Sequence, residues 1–476
     1  MIFASFFGLS HEFDIYLIGA VLPLTINTII LYLGQNYLIP AYNRIKENDN
    51  ILLDNFIQIN FFAFIFGGCV VAVILYFFSG IIVDLYLHVE NPDILSSTKL
   101  IFRLFLLSLP FNFATSVLSA YQQIHFEFRY PAFSQLIASI AFILLLIIFR
   151  NTIGIYIIPA GYVTGSILQV SYLFNKSKIK IRFDRSILAL KKYKKYIPHT
   201  LYIIILIESI GQLYLIVDRY FYNYVPTGGI ASLNYAQTVF LLPISILSIA
   251  FSTAIFPKFS KFVSLNLFEE LERSFNEGIK VNIVIFIPIT FLFIFYGDFF
   301  LKIFFERGKF SSTDTLVTYH VLIFYSISMI FYSVYSVINK LIYGLGLIKN
   351  LLYITVIGIF IKIFMNFLLV GKLAQDGLAL STSISFLFFF VASLSLIYLK
   401  VPIKNKSVFL TEVLFQLTNA FIALFITTQI MSLYPNNPWS TLAKIILFVT
   451  FYFLNLFIAK HSSIKLIDSV INSLKS

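Results

Sequence analysis

Long apolar runs separated by short polar stretches dominate the chain. Each run has about 20 residues, roughly the length that crosses about 30 Å of hydrocarbon at 1.5 Å per residue. Backbone groups inside a bilayer must form their hydrogen bonds within the segment, so these runs are predicted to be helices. The pattern predicts an all-α polytopic membrane protein with about 13 transmembrane helices, roughly at 13–33, 56–79, 98–120, 130–149, 153–175, 196–217, 230–256, 278–297, 316–343, 350–370, 377–399, 408–431 and 438–459.

Composition agrees with this interpretation. Of the 476 residues, 59% are hydrophobic and only 12% are charged, whereas soluble domains carry about 25% charged residues. The single cysteine, Cys69, excludes a disulfide within the chain and gives no indication of a metal site. The six histidines are scattered, and no glycine-rich phosphate loop is present, so no ATPase activity and no bound cofactor are expected.

The positive charges are concentrated in alternate loops. The 176–195 loop holds nine Lys or Arg residues, whereas the loop "SGIIVDLYLHVENPDILSS" holds none. Loops rich in Lys and Arg stay in the cytoplasm, which places the 176–195 loop and the C-terminus inside and the N-terminus outside. The net charge of +12 is therefore a signal of topology, and no nucleic-acid partner is predicted.

An internal repeat suggests two similar halves. Residues 16–42 and 233–259 both carry a Leu-Pro pair in mid-span, at Pro23 and Pro243, and a second proline near the inner end. Parallel repeats of this kind build transporters around a central site. The predicted organisation is a half-bundle of five spans at 1–175, a basic cytoplasmic linker at 176–195, a half-bundle of six spans at 196–399, and two additional spans with a cytoplasmic tail at 400–476.

Several motifs, in order along the chain, resemble one known family. The strongest are "DRYFYNYVPTGGIASLNYAQTVFLLPISILSIAFSTAIFPKFSK" at 218–261 and "FFERGKFSSTDT" at 304–315, joined by "FGLSHEFDIY", "FEFRYPAF", "LIYGLGLIKN" and "DGLALS". Together they resemble the MviN/MurJ family of lipid II flippases, within the superfamily that includes multidrug exporters. That family has fourteen spans. Its first span should precede "FGLS", so we expect either a start codon placed too late or a shortened variant.

The resemblance implies a function. Such a protein would be a flippase, not an enzyme, that moves an undecaprenyl-diphosphate-linked cell-wall precursor across the bacterial inner membrane by alternating access. It would work as a monomer among membrane lipids. In the family a cavity rich in arginine holds the diphosphate, because buried cations offset the cost of dehydrating it. Here the matching positions are uncharged, and the remaining candidates are three cations within spans. The predicted substrate-binding residues are Asn27, Thr28, Arg103, Gln237, Thr238, Lys340 and Lys362.

Two of the charged positions have alternative interpretations. Some family members bind sodium with an aspartate and an asparagine that match Asp218 and Asn366, although Val370 stands where a second acid is expected. A proton gradient or the membrane potential are the other sources of coupling. Alternatively, Asp218 and Arg219 form an exposed pair where a helix leaves the membrane. Lys362 lies in mid-span and would face either a substrate diphosphate or the carboxylate of Glu208.

Three other functions are compatible with the sequence. The loss of the family's arginines favours a flippase for O-antigen or capsular repeat units. A drug or cation antiporter would need a deep membrane acid, for which Glu208 is the candidate. A non-transporting scaffold for cell-wall enzymes would fit a truly shortened chain.

Overall fold

The computed structural model describes residues 1–48, 53–87, 91–177, 200–432, 437–459 and 461. All regular structure in these ranges is helical. The α-helices are α1 Ile2–Phe7, α2 His11–Leu33, α3 Ile39–Asn48, α4 Leu53–Phe77, α5 Ser79–Tyr86, α6 Pro92–Leu106, α7 Leu109–Ile124, α8 Arg129–Ile153, α9 Ile157–Lys176, α10 Thr200–Tyr220, α11 Gly229–Pro243, α12 Ala250–Ser264, α13 Phe268–Phe305, α14 Ser312–Ser326, α15 Met329–Gly344, α16 Ile348–Lys400, α17 Val408–Met431 and α18 Pro438–Ile458.

The described residues include nine helical segments long and apolar enough to cross a membrane. The α14–α15 pair adds a tenth, bent by 47°. Two of the nine, Arg129–Lys176 and Ile348–Lys400, each contain two of the predicted spans, and α10 coincides with another. The prediction of an all-α polytopic membrane protein is confirmed. The count of about 13 spans stays a prediction.

The chain forms two compact bodies. Residues 11–223 make up the first body, where α2 packs on α6 and α7, α4 on α7, and α8 on α9. Residues 1–10 and 224–476 make up the second, where α13 packs on α14, α15 and α17, and α17 packs on α18. This division lies at Asn223, not at the predicted linker, because α10 packs against α2. Residues 178–199 lie outside the described part of the chain, so the linker and its cytoplasmic side stay predictions.

Both members of the internal repeat contain a π-helical turn. In the first body the turn spans Gly34–Leu38 and ends just before Pro40. In the second body it spans Ile244–Ile249 and follows Pro243 directly. Proline lacks an N–H and collides with the carbonyl one turn earlier, which disturbs the regular α-helical pattern. The two π turns lie beside non-equivalent prolines of the repeat, Pro40 and Pro243, and the sequence pattern predicted neither of them.

Helix α16 consists of two arms that pack side by side. The break is at Ala374, where φ is 48° and ψ is −128°. A Cβ atom added at Gly377 would lie 2.7 Å from the Leu369 carbonyl oxygen, so glycine is needed where the arms meet. The same residues were predicted as two spans, 350–370 and 377–399, and the break falls between them.

Candidate functional site

The first body holds Asn27 and Thr28 on α2, and their surroundings differ. Asn27 is buried, and its Nδ2 donates to the Tyr162 hydroxyl at 3.3 Å. Its Oδ1 atom has no hydrogen-bond partner in the described part of the chain. Thr28 is exposed, and its hydroxyl donates back to the Leu24 carbonyl at 3.0 Å. Of the two residues, only Asn27 therefore has a buried acceptor atom without a hydrogen-bond partner among the described residues.

Arg103 lies on α6 in a half-buried position, and its side chain contacts other residues of the first body. Its Nε donates to Ser79 Oγ at 2.7 Å, and the guanidinium carbon lies 5.0 Å from the centre of the Tyr76 ring. Stacking of a guanidinium on an aromatic face is attractive because the ring face is negative. Arg103 thus connects α6 to the junction of α4 and α5, and the remaining N–H groups of the guanidinium are the ones that could contact an anion.

Gln237, Thr238 and Lys340 lie in the second body on α11 and α15. Gln237 is half-buried, and Thr238 is exposed with its hydroxyl bonded to the Asn234 carbonyl at 2.8 Å. Thr28 and Thr238 thus satisfy their hydroxyls in the same way, within their own helices. Lys340 is half-buried next to Asn339, whose Oδ1 is buried without a partner among the described residues.

The most compact polar cluster lies between the two arms of α16. Lys362 is 1% exposed, and its Nζ donates to Thr382 Oγ1 at 2.8 Å. One turn later the fully buried Asn366 accepts a hydrogen bond on Oδ1 from the Ser381 hydroxyl. A buried ammonium, an amide and two hydroxyls therefore face each other across the broken helix. The structure brings together Lys362, predicted for substrate, and Asn366, predicted for an ion.

Asp218 and Arg219 end α10 and are both 5% exposed. The expectation of an exposed pair at the membrane surface was therefore wrong. Both side chains take part in interactions within the protein. A buried carboxylate and a buried guanidinium are retained only where other groups compensate them, because burying an isolated charge is costly.

Glu208 has a partner within its own body. It is half-buried on α10, and the Tyr32 hydroxyl of α2 hydrogen-bonds to its carboxylate. Lys362 belongs to the other body, so the predicted Glu208–Lys362 pair stays a prediction. The described residues contain no group of three or more His, Cys, Asp or Glu side chains that could hold a metal ion.

Outside the spans, one ion pair ties the 400–407 loop to the start of α13. Lys404 Nζ lies 2.7 Å from Glu269 Oε1, and the Glu272 carboxylate accepts from the Asn405 backbone N–H at 2.7 Å. The hydrogen bond and the charge of Lys404 lower the pKa of Glu269. This contact fixes the segment that precedes the last two described helices.

Several polar partners were not selected from the sequence. Ser381 ends the motif "DGLALS" and Thr382 follows it, and the sequence alone assigned neither residue to a site. A run of hydroxyl residues within an apolar span was the available signal. Tyr162 gave no comparable signal, because its role depends on the packing of α9 against the rest of the first body.

Apolar helices that contain proline, π turns, a broken helix and buried charges are typical of polytopic membrane transport proteins. The family model described as "Lipid II flippase MurJ" matches residues 3–450. The chain therefore belongs to the MurJ lipid II flippase family, and the resemblance found in the sequence is confirmed.

Relatives across most of the chain support this assignment. A probable lipid II flippase MurJ of Borreliella burgdorferi is 27% identical over 445 residues, covering 92% of this chain and 86% of that protein. A probable lipid II flippase MurJ of Aquifex aeolicus is 25% identical over 474 residues, covering 96% and 90%. Each of these two relatives is similar to the present chain across both of its compact bodies.

Solved structures show the same fold. A lipid II flippase MurJ in an inward closed conformation matches with a TM-score of 0.79 at 22% identity, covering 96% of this chain and 95% of that one. An inward-facing multidrug transporter of the MATE family matches with a TM-score of 0.69 at 12% identity, covering 83% and 92%. The fold is thus shared by flippases and drug exporters.

Proposed function

We propose that this protein is a flippase that moves a polyprenyl-diphosphate-linked cell-wall saccharide of the lipid II type across the bacterial cytoplasmic membrane by alternating access. The observation that carries the proposal is the match to the lipid II flippase family over residues 3–450. Transport, not catalysis, is the activity of such a family. The comparisons favour this function over an O-antigen flippase, an antiporter or a scaffold.

The polar cluster of α16 supports an anionic substrate. Lys362 places a buried ammonium group beside Thr382 and takes part in further interactions within the protein, so an anionic group would have to exchange with these contacts. A diphosphate is the anion that such a membrane lipid carries, and charge-assisted hydrogen bonds to it are stronger than neutral ones. The uncharged Asn27 and Gln237 suit the hydroxyl and amide groups of a saccharide.

The proposal includes finer features of topology and energy supply. The C-terminus lies in the cytoplasm, the protein works as a monomer among membrane lipids, and no nucleic acid takes part. Coupling uses sodium, a proton gradient or the membrane potential. Asp218 and Asn366 are the candidate ligands for sodium, and a hard cation would need further oxygen ligands beside them.

Binding of the lipid gives a first test of the function. We expect purified protein to retain lipid II in native mass spectrometry and to exchange it with undecaprenyl diphosphate. Undecaprenyl monophosphate should compete at least tenfold less well, because it lacks the second phosphate group. Equal competition by monophosphate and diphosphate would contradict recognition of the diphosphate.

A further inference from the structure

A buried chain of polar side chains joins the last two described helices to α13. On α17, Gln416 Nε2 lies 2.9 Å from Glu412 Oε1, and on α18 the Tyr452 hydroxyl lies 2.6 Å from Gln416 Oε1. The same hydroxyl lies 3.1 Å from the carbonyl oxygen of Val284 on α13. Glu412 is 5% exposed, and Gln416 and Tyr452 are fully buried. The chain therefore runs from a carboxyl group to a helix backbone without solvent between its members.

The Val284 carbonyl needs a donor from outside its own helix. In an α-helix the N–H of residue 288 would donate to the carbonyl of residue 284, but residue 288 is proline. A buried carbonyl without a donor costs free energy comparable to a lost hydrogen bond. The Tyr452 hydroxyl is positioned to replace the missing N–H.

The polar hydrogens of Gln416 and Tyr452 cannot make all of these hydrogen bonds at once. The Tyr452 hydroxyl has one hydrogen, whereas the Val284 carbonyl and Gln416 Oε1 are both acceptors. The orientation of a glutamine amide follows from its hydrogen bonds, so rotation of the Gln416 amide exchanges its donor and acceptor ends. Two arrangements follow, and they differ by one proton.

With Glu412 ionised, Gln416 donates to Glu412 and Tyr452 donates to Gln416. The Val284 carbonyl then accepts no hydrogen bond from these side chains. With Glu412 protonated, Glu412 donates to Gln416, the rotated amide donates to Tyr452, and Tyr452 donates to Val284. Each arrangement uses the heavy-atom positions that the structure shows. Only the protonated arrangement supplies the carbonyl that Pro288 leaves without a donor.

A titratable side chain lies close to the Glu412 carboxylate. His461 lies beyond the end of α18 with its Nδ1 3.9 Å from Glu412 Oε1, and it is stacked on Phe415. A protonated His461 would favour the carboxylate. The printed side-chain neighbours of the Glu412 carboxylate are Gln416 on its own helix and His461, and Glu412 takes part in further interactions within the protein.

We propose that Glu412 is a proton-binding site whose occupancy decides whether Tyr452 donates to Gln416 or to Val284. Uptake of a proton by Glu412 is thereby transmitted over three side chains to the proline turn of α13. The partly exposed His461 is the acid–base group through which the proton reaches Glu412. This site does not depend on the proposed transport of lipid II, because it follows from contacts within the second body alone.

Infrared difference spectroscopy of the purified full-length protein in lipid tests the site. On acidification we expect the wild-type protein to show a carboxylic-acid C=O band that Glu412→Gln removes and that the exposed control Glu270→Gln retains. A wild-type band that persists unchanged in Glu412→Gln would overturn the proposal.

Tyr452→Phe tests the chain beyond Glu412 while the acid is intact. The substitution removes one hydrogen bond from the ionised arrangement and two from the protonated one. The midpoint of the Glu412 band should therefore move to lower pH by roughly 0.5–1 unit, as expected for one net hydrogen bond. This result decides the question even if Glu412→Gln does not fold. A midpoint that stays unchanged or moves to higher pH would show that Tyr452 only packs against α17.

Discussion

Lys362→Gln is expected to lower the rate of lipid flipping roughly ten- to a hundredfold at nearly normal protein abundance. Glutamine can still donate an N–H to Thr382, so the contact between the arms of α16 is preserved. What is lost is the buried positive charge. A hydrogen bond to a charged group contributes about 1.5–3 kcal/mol, and each 1.4 kcal/mol corresponds to a factor of ten.

Lys349→Gln is the matched control, because this lysine lies in the first turn of the same helix and is exposed. Flipping rate and abundance should be close to those of the wild type. If Lys362→Gln instead lowers abundance, and the double change with Glu208→Gln restores it, the lysine pairs with Glu208 and not with substrate. Normal abundance with normal flipping would contradict both interpretations.

Asp218→Ala is expected to reduce the amount of folded protein strongly. Asp218 is buried at the end of α10 and interacts with other groups of the protein, so the change leaves those groups without its carboxylate. Leaving a buried charge uncompensated costs about 3–5 kcal/mol, a large part of the stability of a typical domain. The measurement is the monodisperse fraction after extraction in mild detergent.

Asp93→Ala is the control, because Asp93 is exposed at the start of α6 and should tolerate the change. If Asp218 compensates the buried charge of Arg219, Asp218→Ala combined with Arg219→Gln should recover part of the folded yield. Normal yield of Asp218→Ala together with loss of the sodium dependence of transport would contradict the structural role and assign Asp218 to a coupling cation.

The fold was largely predictable because the thickness of the hydrocarbon core sets the length of each helix that crosses it. The apolar runs marked both arms of α16, and the polar break between them coincides with Ala374. The repeat predicted two helices with a proline in mid-span. The π turns inside them were not predictable, because a widened turn depends on how the helix accommodates proline and not on hydropathy.

The candidate site was predictable only in part. Lys362 stood out because a charge in mid-span is costly, but its neighbours Ser381 and Thr382 come from the other arm. Asp218 and Arg219 looked exposed because they end an apolar run, and burial depends on packing that hydropathy does not report. The contact of Tyr452 with Val284 joins residues 168 positions apart, a relationship that no local pattern contains.

Transport of lipid II in vesicles tests the central claim most directly. Purified protein is reconstituted into liposomes carrying labelled lipid II, and an impermeant reagent measures the saccharide exposed on the outer face over time. We expect the exposed fraction to rise beyond the starting value in vesicles with wild-type protein, slowly in vesicles with Lys362→Gln, and not at all in vesicles without protein. Folded wild-type protein that retains lipid II but leaves the exposed fraction at the level of protein-free vesicles would contradict the account.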